Sequence, residues 1–438
     1  MWMAIGIVLF VVGLLFSIAW HELGHLTWAK VFNVRTSQYM VGFGKTLWSK
    51  QVGETEYGIK AVPLGGYIRM VGMVPPDARG RQRITTTALG PAGFFRQIIE
   101  DSRAGDRSQV IATDEGRQFY QLHPFKRIII MLAGPLMNLV LAVILFAIVM
   151  MGVGVPTPNT TVSDVSACVV PASAPPAEQS KTNCPPDQWT PARTIGLKPG
   201  DRVIAFHGVI VTGWDQLTEL IRAAAGTTVP ISVVRNGQTI DKQVPIVRTE
   251  RPVLDGQDNQ IGVTETGFLG IGAQRPYVTQ GFGSAVDRTG QFVGAAAGAV
   301  VRIPARIPAL WESIFNGKPR DANSPVGVVG AGRIAGDILE LNTRAKDKIS
   351  LFLTLLAGFN MSLFLLNLLP LLPLDGGHIL GAAIEWIRRG WAKLAGRPSP
   401  GPFDVAKLMP VAYVVALLFI GLSALTLVAD VVNPVKLF

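Results

Sequence analysis

The first twenty residues, MWMAIGIVLFVVGLLFSIAW, carry no charge, and the next five are His21-Glu22-Leu23-Gly24-His25. At about 1.5 Å per residue the apolar run would extend roughly 27 Å as a helix, close to the hydrocarbon thickness of a bilayer. A cleavable signal peptide would start with a basic stretch and end in a small-residue cleavage site. Here the basic residues begin only beyond the motif, at Lys30, Arg35, Lys45 and Lys50. Residues 1–30 are therefore expected to stay as a transmembrane helix, with the N-terminus outside and the next loop in the cytoplasm.

Apolar runs of spanning length occur in only a few other places, so a dense many-helix transporter is excluded although 49% of the 438 residues are hydrophobic. The 40 Lys plus Arg against 30 Asp plus Glu are read as a topology signal, with no nucleic-acid partner expected. Two cysteines and five histidines leave no material for a multi-thiolate cluster, so a metal would be held by His and carboxylate.

The pattern predicts four transmembrane helices and both termini extracytoplasmic. The second helix covers 127–152 and contains AGPLMN, whose Pro135 and Asn138 are unusual in a lipid-facing helix. The third covers 349–387 and is broken, because Pro370 and Pro373 remove backbone donors inside an apolar run. The fourth covers 409–430, after a basic cytoplasmic linker at 388–408. Residues 31–74 read as short alternating strands at the membrane boundary and 75–126 as a cytoplasmic loop. Residues 266–348 read as an interfacial amphipathic region, or equally as a partly buried soluble helix.

Between the second and third spans, GLKPGD, a helical stretch and an Asn236-Gly237 hairpin signal suggest a globular α+β domain over 158–265. Its turn and strand-helix-strand order resemble a PDZ domain, with a Pro, Ala and Ser-rich insertion at 168–190. Cys168 and Cys184 flank that insertion, and both a bridge and two unpaired surface thiols are open.

His21 and His25, four residues apart, share a helix face and can bind one zinc, with Glu22 adjacent as a general base. Ionisable groups continuing a membrane helix are expensive to bury and mark a functional site by default, although they could merely mark its aqueous end. A third ligand is needed, and Asp375 in NLLPLLPLDGG is the conspicuous intramembrane acid, presented from a non-helical segment. It could also cap the helix that follows. Gly330-x-Gly332-x-x-Ala335 mimics a dinucleotide fingerprint, but neither a preceding strand nor a later ribose-binding acid is there. His378 is expected to support Asp375; His123 and His207 get structural readings.

HELGH and NLLPLLPLDGG, with VGFGKTLWSK, TEYGIKAVPLGGYIRM and AGPLMN, resemble the site-2 protease family of intramembrane zinc metalloproteases over most of the chain. The likeness is to bacterial members with a single extracytoplasmic PDZ domain, similar to the enterobacterial sigma-E regulator protease and its actinobacterial counterparts. The resemblance implies His21, His25 and Asp375 as ligands of one zinc, Glu22 as general base and acid, and Asn367 as a catalytic amide that holds substrate backbone or oxyanion. It also implies a membrane-associated β-hairpin in which Gly42, Phe43 and Gly44 would touch substrate. Implied partners are the lipid bilayer, single-pass membrane substrates such as anti-sigma factors or remnant signal peptides, and an upstream site-1-type protease that trims them first. The protein would be a multi-pass protein of the inner (plasma) membrane with its active site toward the cytoplasm. Two rival classes are an intramembrane zinc carrier or sensor and a catalytically dead PDZ adaptor, separable by a Glu22→Gln variant and by zinc stoichiometry.

Overall fold

The structure, a computed structural model, describes residues 1–75, 110–111, 114–175, 183–254, 260–320 and 324–435. Most of the loop expected at 75–126 lies outside the described residues. The chain divides into two compact units, Met1–Val153 with Gly281–Phe438, and Gly154–Gln280.

The first unit is helical. Helix α1 (Trp2–Val31) is followed by two long strands, β1 (Thr36–Val52) and β2 (Thr55–Met70), turned at Gly53. Both strands bend, so that Val41 pairs with Gly66 and with Ile59, and Tyr39 with Ile68 and with Tyr57. The 66–69 segment pairs only with 38–41 among the described residues, which makes it a sheet edge. Helix α2 (Pro124–Ala147) starts with proline at its first position, where the missing N–H costs nothing, and His123 caps it. It runs on as a π-turn over Ile148–Val153. Then come α3 (Phe282–Phe315), α4 (Val328–Glu340), α5 (Ala345–Asn367), α6 (Asp375–Leu394) and α7 (Met409–Val432).

Side chains such as Val8, Val12 and Phe16 on α1, and Leu417 and Leu418 on α7, are exposed, the pattern of a lipid-facing surface. Helices meet through small residues, as they do where lipid removes the hydrophobic drive. A Cβ on Gly24 would come within 2.5 Å of the Ala133 carbonyl, and one on Gly6 within 2.5 Å of the Ala335 carbonyl. Gly330, Gly332 and Ala335, the fingerprint-like residues, are thus part of a buried helix face on α4. Asp430 near the end of α7 accepts from the Gly327 and Gly330 amides at 3.0 and 2.8 Å and pairs with buried Arg320 at 2.9 Å.

Among the described residues five helices, not four, are long and apolar enough to cross a membrane, the additional one being α3. It is one continuous helix of 34 residues despite Pro304 and Pro308. Charged residues interrupt its apolar runs, which is why the sequence suggested only an amphipathic region there. It is held to the rest of the unit at two places along its length. Phe292 packs on Phe146 near the end of α2, with ring centroids 5.3 Å apart, and the Ser313 carbonyl accepts from Asn433 at 3.1 Å, just beyond α7. The segment expected as a broken third span is two helices, α5 and α6, joined by residues 368–374.

The second unit has its own core, centred on Val203, Phe206, Leu217, Ile231, Val233 and Val244. An antiparallel sheet orders Val209–Ile210, Arg202–Phe206, Thr228–Arg235 and Gln238–Pro245, with the helix Trp214–Ala223 against it. Asn236 and Gly237 both have positive φ, at 51° and 80°, as the two-residue hairpin turn demands. The unit runs to Gln280, past residue 265, because Ile271–Ala273 pairs with Val162–Val165 and Tyr277–Val278 with Val155–Pro156. Cys168 and Cys184 form a disulfide.

Candidate metal centre

His21 and His25 sit one turn apart near the end of α1, both buried, with their Nε2 atoms 3.2 Å from each other. Asp375 is the first residue of α6, and its Oδ2 lies 3.3 Å from each of those nitrogens. The break before it is tight. A Cβ on Gly376 would lie 2.2 Å from the Leu369 carbonyl and one on Gly377 2.6 Å from the Leu372 amide nitrogen, so the two glycines let the chain fold under the aspartate.

The donor set fits a zinc ion. Tetrahedral coordination at about 2.0–2.1 Å places ligand atoms roughly 3.3 Å apart, and the three pairs here are 3.2, 3.3 and 3.3 Å. The buried Asp375 Oδ2 has no hydrogen-bond partner among the described residues, a costly state that a cation would relieve. Room for an ion also depends on α2: a Cβ at Gly134 would come 2.1 Å from His25 Nε2. His21, His25 and Asp375 could therefore hold the metal.

A cavity of about 410 Å³ opens on this centre. Glu22, Asn367 and His378 line it, as do Gly65, Gly66, Tyr67 and Ile68 of β2. A Cβ on Gly66 would lie 2.8 Å from the Ile18 Cγ2, 3.0 Å from the Met40 carbonyl and 3.2 Å from the Glu22 Cγ, so glycine lets the sheet edge pass close to α1 beside the carboxylate. Gly42, Phe43 and Gly44 do not line the cavity; Phe43 instead stacks on Tyr67, ring centroids 6.1 Å apart. The reason is the bend of the hairpin, which turns 65–68 rather than 42–44 toward α1.

Sequence reasoning noted Asn138 as odd but assigned it nothing; its Nδ2 lies 3.2 Å from His21 Nδ1. It missed the Ile130 carbonyl, 2.8 Å from His25 Nδ1, and Gly134. Their spacing in α2 was available as a signal, since 130, 134 and 138 fall on one helix face. It also missed a buried ionic knot between α2 and α6: Arg127 pairs with Glu385, which also pairs with Arg389 at 2.7 Å and accepts from the Phe403 amide at 2.7 Å.

A lipid-facing helical body that gathers two histidines, an aspartate and a neighbouring glutamate around a cavity is the architecture of a membrane metallopeptidase. The chain matches the Peptidase family M50 over residues 9–397 and belongs to it. It is 34% identical to the zinc metalloprotease Rip1 of Mycobacterium tuberculosis (strain H37Rv), an alignment that covers 99% of this chain and 98% of that one. It is 26% identical to the metalloprotease MmpA of Caulobacter vibrioides, covering 92% and 91%, and 25% identical to the zinc metalloprotease RasP of Geobacillus kaustophilus, covering 84% and 86%. The protein is an intramembrane zinc metalloprotease of the site-2 protease type.

Proposed function

We propose that His21, His25 and Asp375 hold the zinc and that Glu22 is the general base, with the scissile peptide entering the cavity along the edge of β2. The observation that carries this reading is the mutual 3.2–3.3 Å spacing of three donor atoms from helices far apart in sequence. The chemistry that zinc supplies when bound is Lewis acidity, which brings the pKa of water to about 7 and polarises a carbonyl oxygen. Glu22 takes a proton from the attacking water and returns it to the leaving amine. The Asn367 amide, on the cavity wall, holds the substrate backbone or the developing oxyanion. A transmembrane helix hides its peptide bonds in its own hydrogen bonds, so its unwound stretch needs new partners. The side of 66–69 with no neighbouring strand offers them by strand addition, with Phe43 between Gly42 and Gly44 bracing Tyr67 from behind.

The substrates we infer are single-pass membrane proteins such as anti-sigma factors or remnant signal peptides, trimmed first on the outside by a site-1-type protease. The unit Gly154–Gln280 is read as a PDZ-like domain that filters by size or binds the trimmed end. Four helices (α1, α2, α5 and α7) cross the inner membrane, with α3 at the outer interface, where its mix of apolar and basic residues suits it. Both termini and the PDZ-like domain then lie outside, and the cavity opens toward the cytoplasmic side. The test is a comparison of membrane-protein fragments in cells that carry the wild-type chain or the Glu22→Gln variant. Fragments ending within membrane segments should vanish in the variant; an unchanged set overturns the reading.

A further inference from the structure

We propose that Asn138 is a positioning residue that holds His21 by its Nδ1 so that Nε2 faces the metal, and that one face of α2 orients both centre histidines in this way. This rests on the ligand assignment above. Ile130, Gly134 and Asn138 are successive residues of one face of α2, four apart, and that face backs the centre. Each imidazole presents Nε2 to the centre and Nδ1 to α2.

For His25 the partner is the Ile130 carbonyl at 2.8 Å. A carbonyl only accepts, so Nδ1 bears the proton and the Nε2 lone pair points inward. For His21 the partner is an amide, which can either donate or accept. In the recorded orientation Asn138 Nδ2 donates to His21 Nδ1, 3.2 Å away, which puts the neutral ring's proton on Nε2, between His25 Nε2 at 3.2 Å and Asp375 Oδ2 at 3.3 Å. The wiring leaves the Asn138 Oδ1, in a fully buried side chain, with no partner among the described residues. It also places a proton on the His21 nitrogen that a metal needs bare. A half-turn of the Asn138 amide reverses the relation. Oδ1 accepts from Nδ1–H, and both Nε2 lone pairs face Asp375. Asn138 thus serves His21 in both wirings, which neither a carboxylate nor an apolar side chain can do.

The test uses the full-length chain with two substitutions of similar shape, Asn138→Leu and Asn138→Asp, read by zinc affinity in chelator competition, by the visible spectrum of the cobalt-substituted protein and by thermal stability. Asp offers only acceptor oxygens and should keep or tighten zinc binding with the wild-type cobalt spectrum. Leu should weaken zinc by about 10- to 100-fold, as lost support of a ligating histidine does. A folded Leu variant with wild-type affinity, or equal weakening by Leu and Asp, overturns the proposal, since a plain interhelical hydrogen bond would change stability and not affinity. If the Leu variant fails to fold, the Asp variant decides, and loss of zinc from it overturns the proposal. His21→Ala keeps the two ideas apart: zinc retained there refutes the ligand assignment, whereas zinc lost there but held by Asn138→Leu refutes only the role of Asn138.

Discussion

Gly134 and His25 are placed so that the glycine's absent side chain is what leaves the His25 Nε2 free: a methyl group there would lie 2.1 Å from that nitrogen. Alanine at 134 gains about 1 kcal/mol of helix propensity, against about 1–3 kcal/mol for overpacking a buried site. The Gly134→Ala variant should therefore fold with a modest loss of thermal stability, yet purify with almost no zinc and no peptidase activity. Metal analysis beside a melting curve checks it; one zinc per chain in a stable Gly134→Ala protein would mean that α2 can move back from α1.

The ligands and the base should part company. His21→Ala or Asp375→Ala should lose zinc and cleavage together, because each removes a donor atom from a set of three. Glu22→Gln should keep its zinc and its fold while turnover drops by about 10²- to 10⁴-fold, the usual contribution of a positioned acid or base. Zinc stoichiometry and cleavage of a single-pass reporter, measured on the same preparations, separate the two classes.

HELGH was legible because its chemistry is written at helical spacing within five residues, and Asp375 because two prolines and two glycines announce a break around it. Gly134 was not legible, since its role is to be missing a side chain against another helix, which local pattern does not encode. Strand character in 36–70 followed from alternation. Which edge meets Glu22 did not, because it depends on the bend that lets Val41 pair with both Gly66 and Ile59. The continuity of α3 through Pro304 and Pro308 was hidden for a related reason: interspersed charges make it less apolar than the other four candidate spans.

Arg127 and Glu385 join α2, which backs the histidines, to α6, which carries Asp375, and both are buried. The loop before α6 is short, so this pair is the second point that fixes the helix. Glu385→Ala leaves Arg127 uncompensated and should cost about 3–5 kcal/mol, whereas replacing both by apolar residues of similar volume should cost only about 1–3 kcal/mol, for the Phe403 amide and Arg389 that lose their acceptor. Denaturation of the single and double variants checks the energies. Zinc affinity in the double variant shows whether the pair also sets the distance from Asp375 to the histidines.

In the unit Gly154–Gln280, Asp201 bridges the GLKPGD turn to the sheet. It receives two bonds of 2.7 Å from Arg235 and one of 2.8 Å from the Lys198 amide. The hydrogen-bonded Arg235 guanidinium holds its carboxyl below the ordinary carboxylate range. A depressed folded value means that the stabilisation is fully present above the unfolded pKa, about 3.9, and is lost as pH falls through the folded value beneath it. Hydrogen bonds to charged groups contribute about 1.5–3 kcal/mol, and the partial exposure of Arg235 argues for the lower part of that range. Asp201→Asn should therefore destabilise this unit at neutral pH, with the gap from wild type constant down to about pH 5 and closing below about pH 4. Limited proteolysis of the full chain across that range, scored at sites within 154–280, measures it. A gap that widens on acidification would mean that the aspartate is held by something other than Arg235.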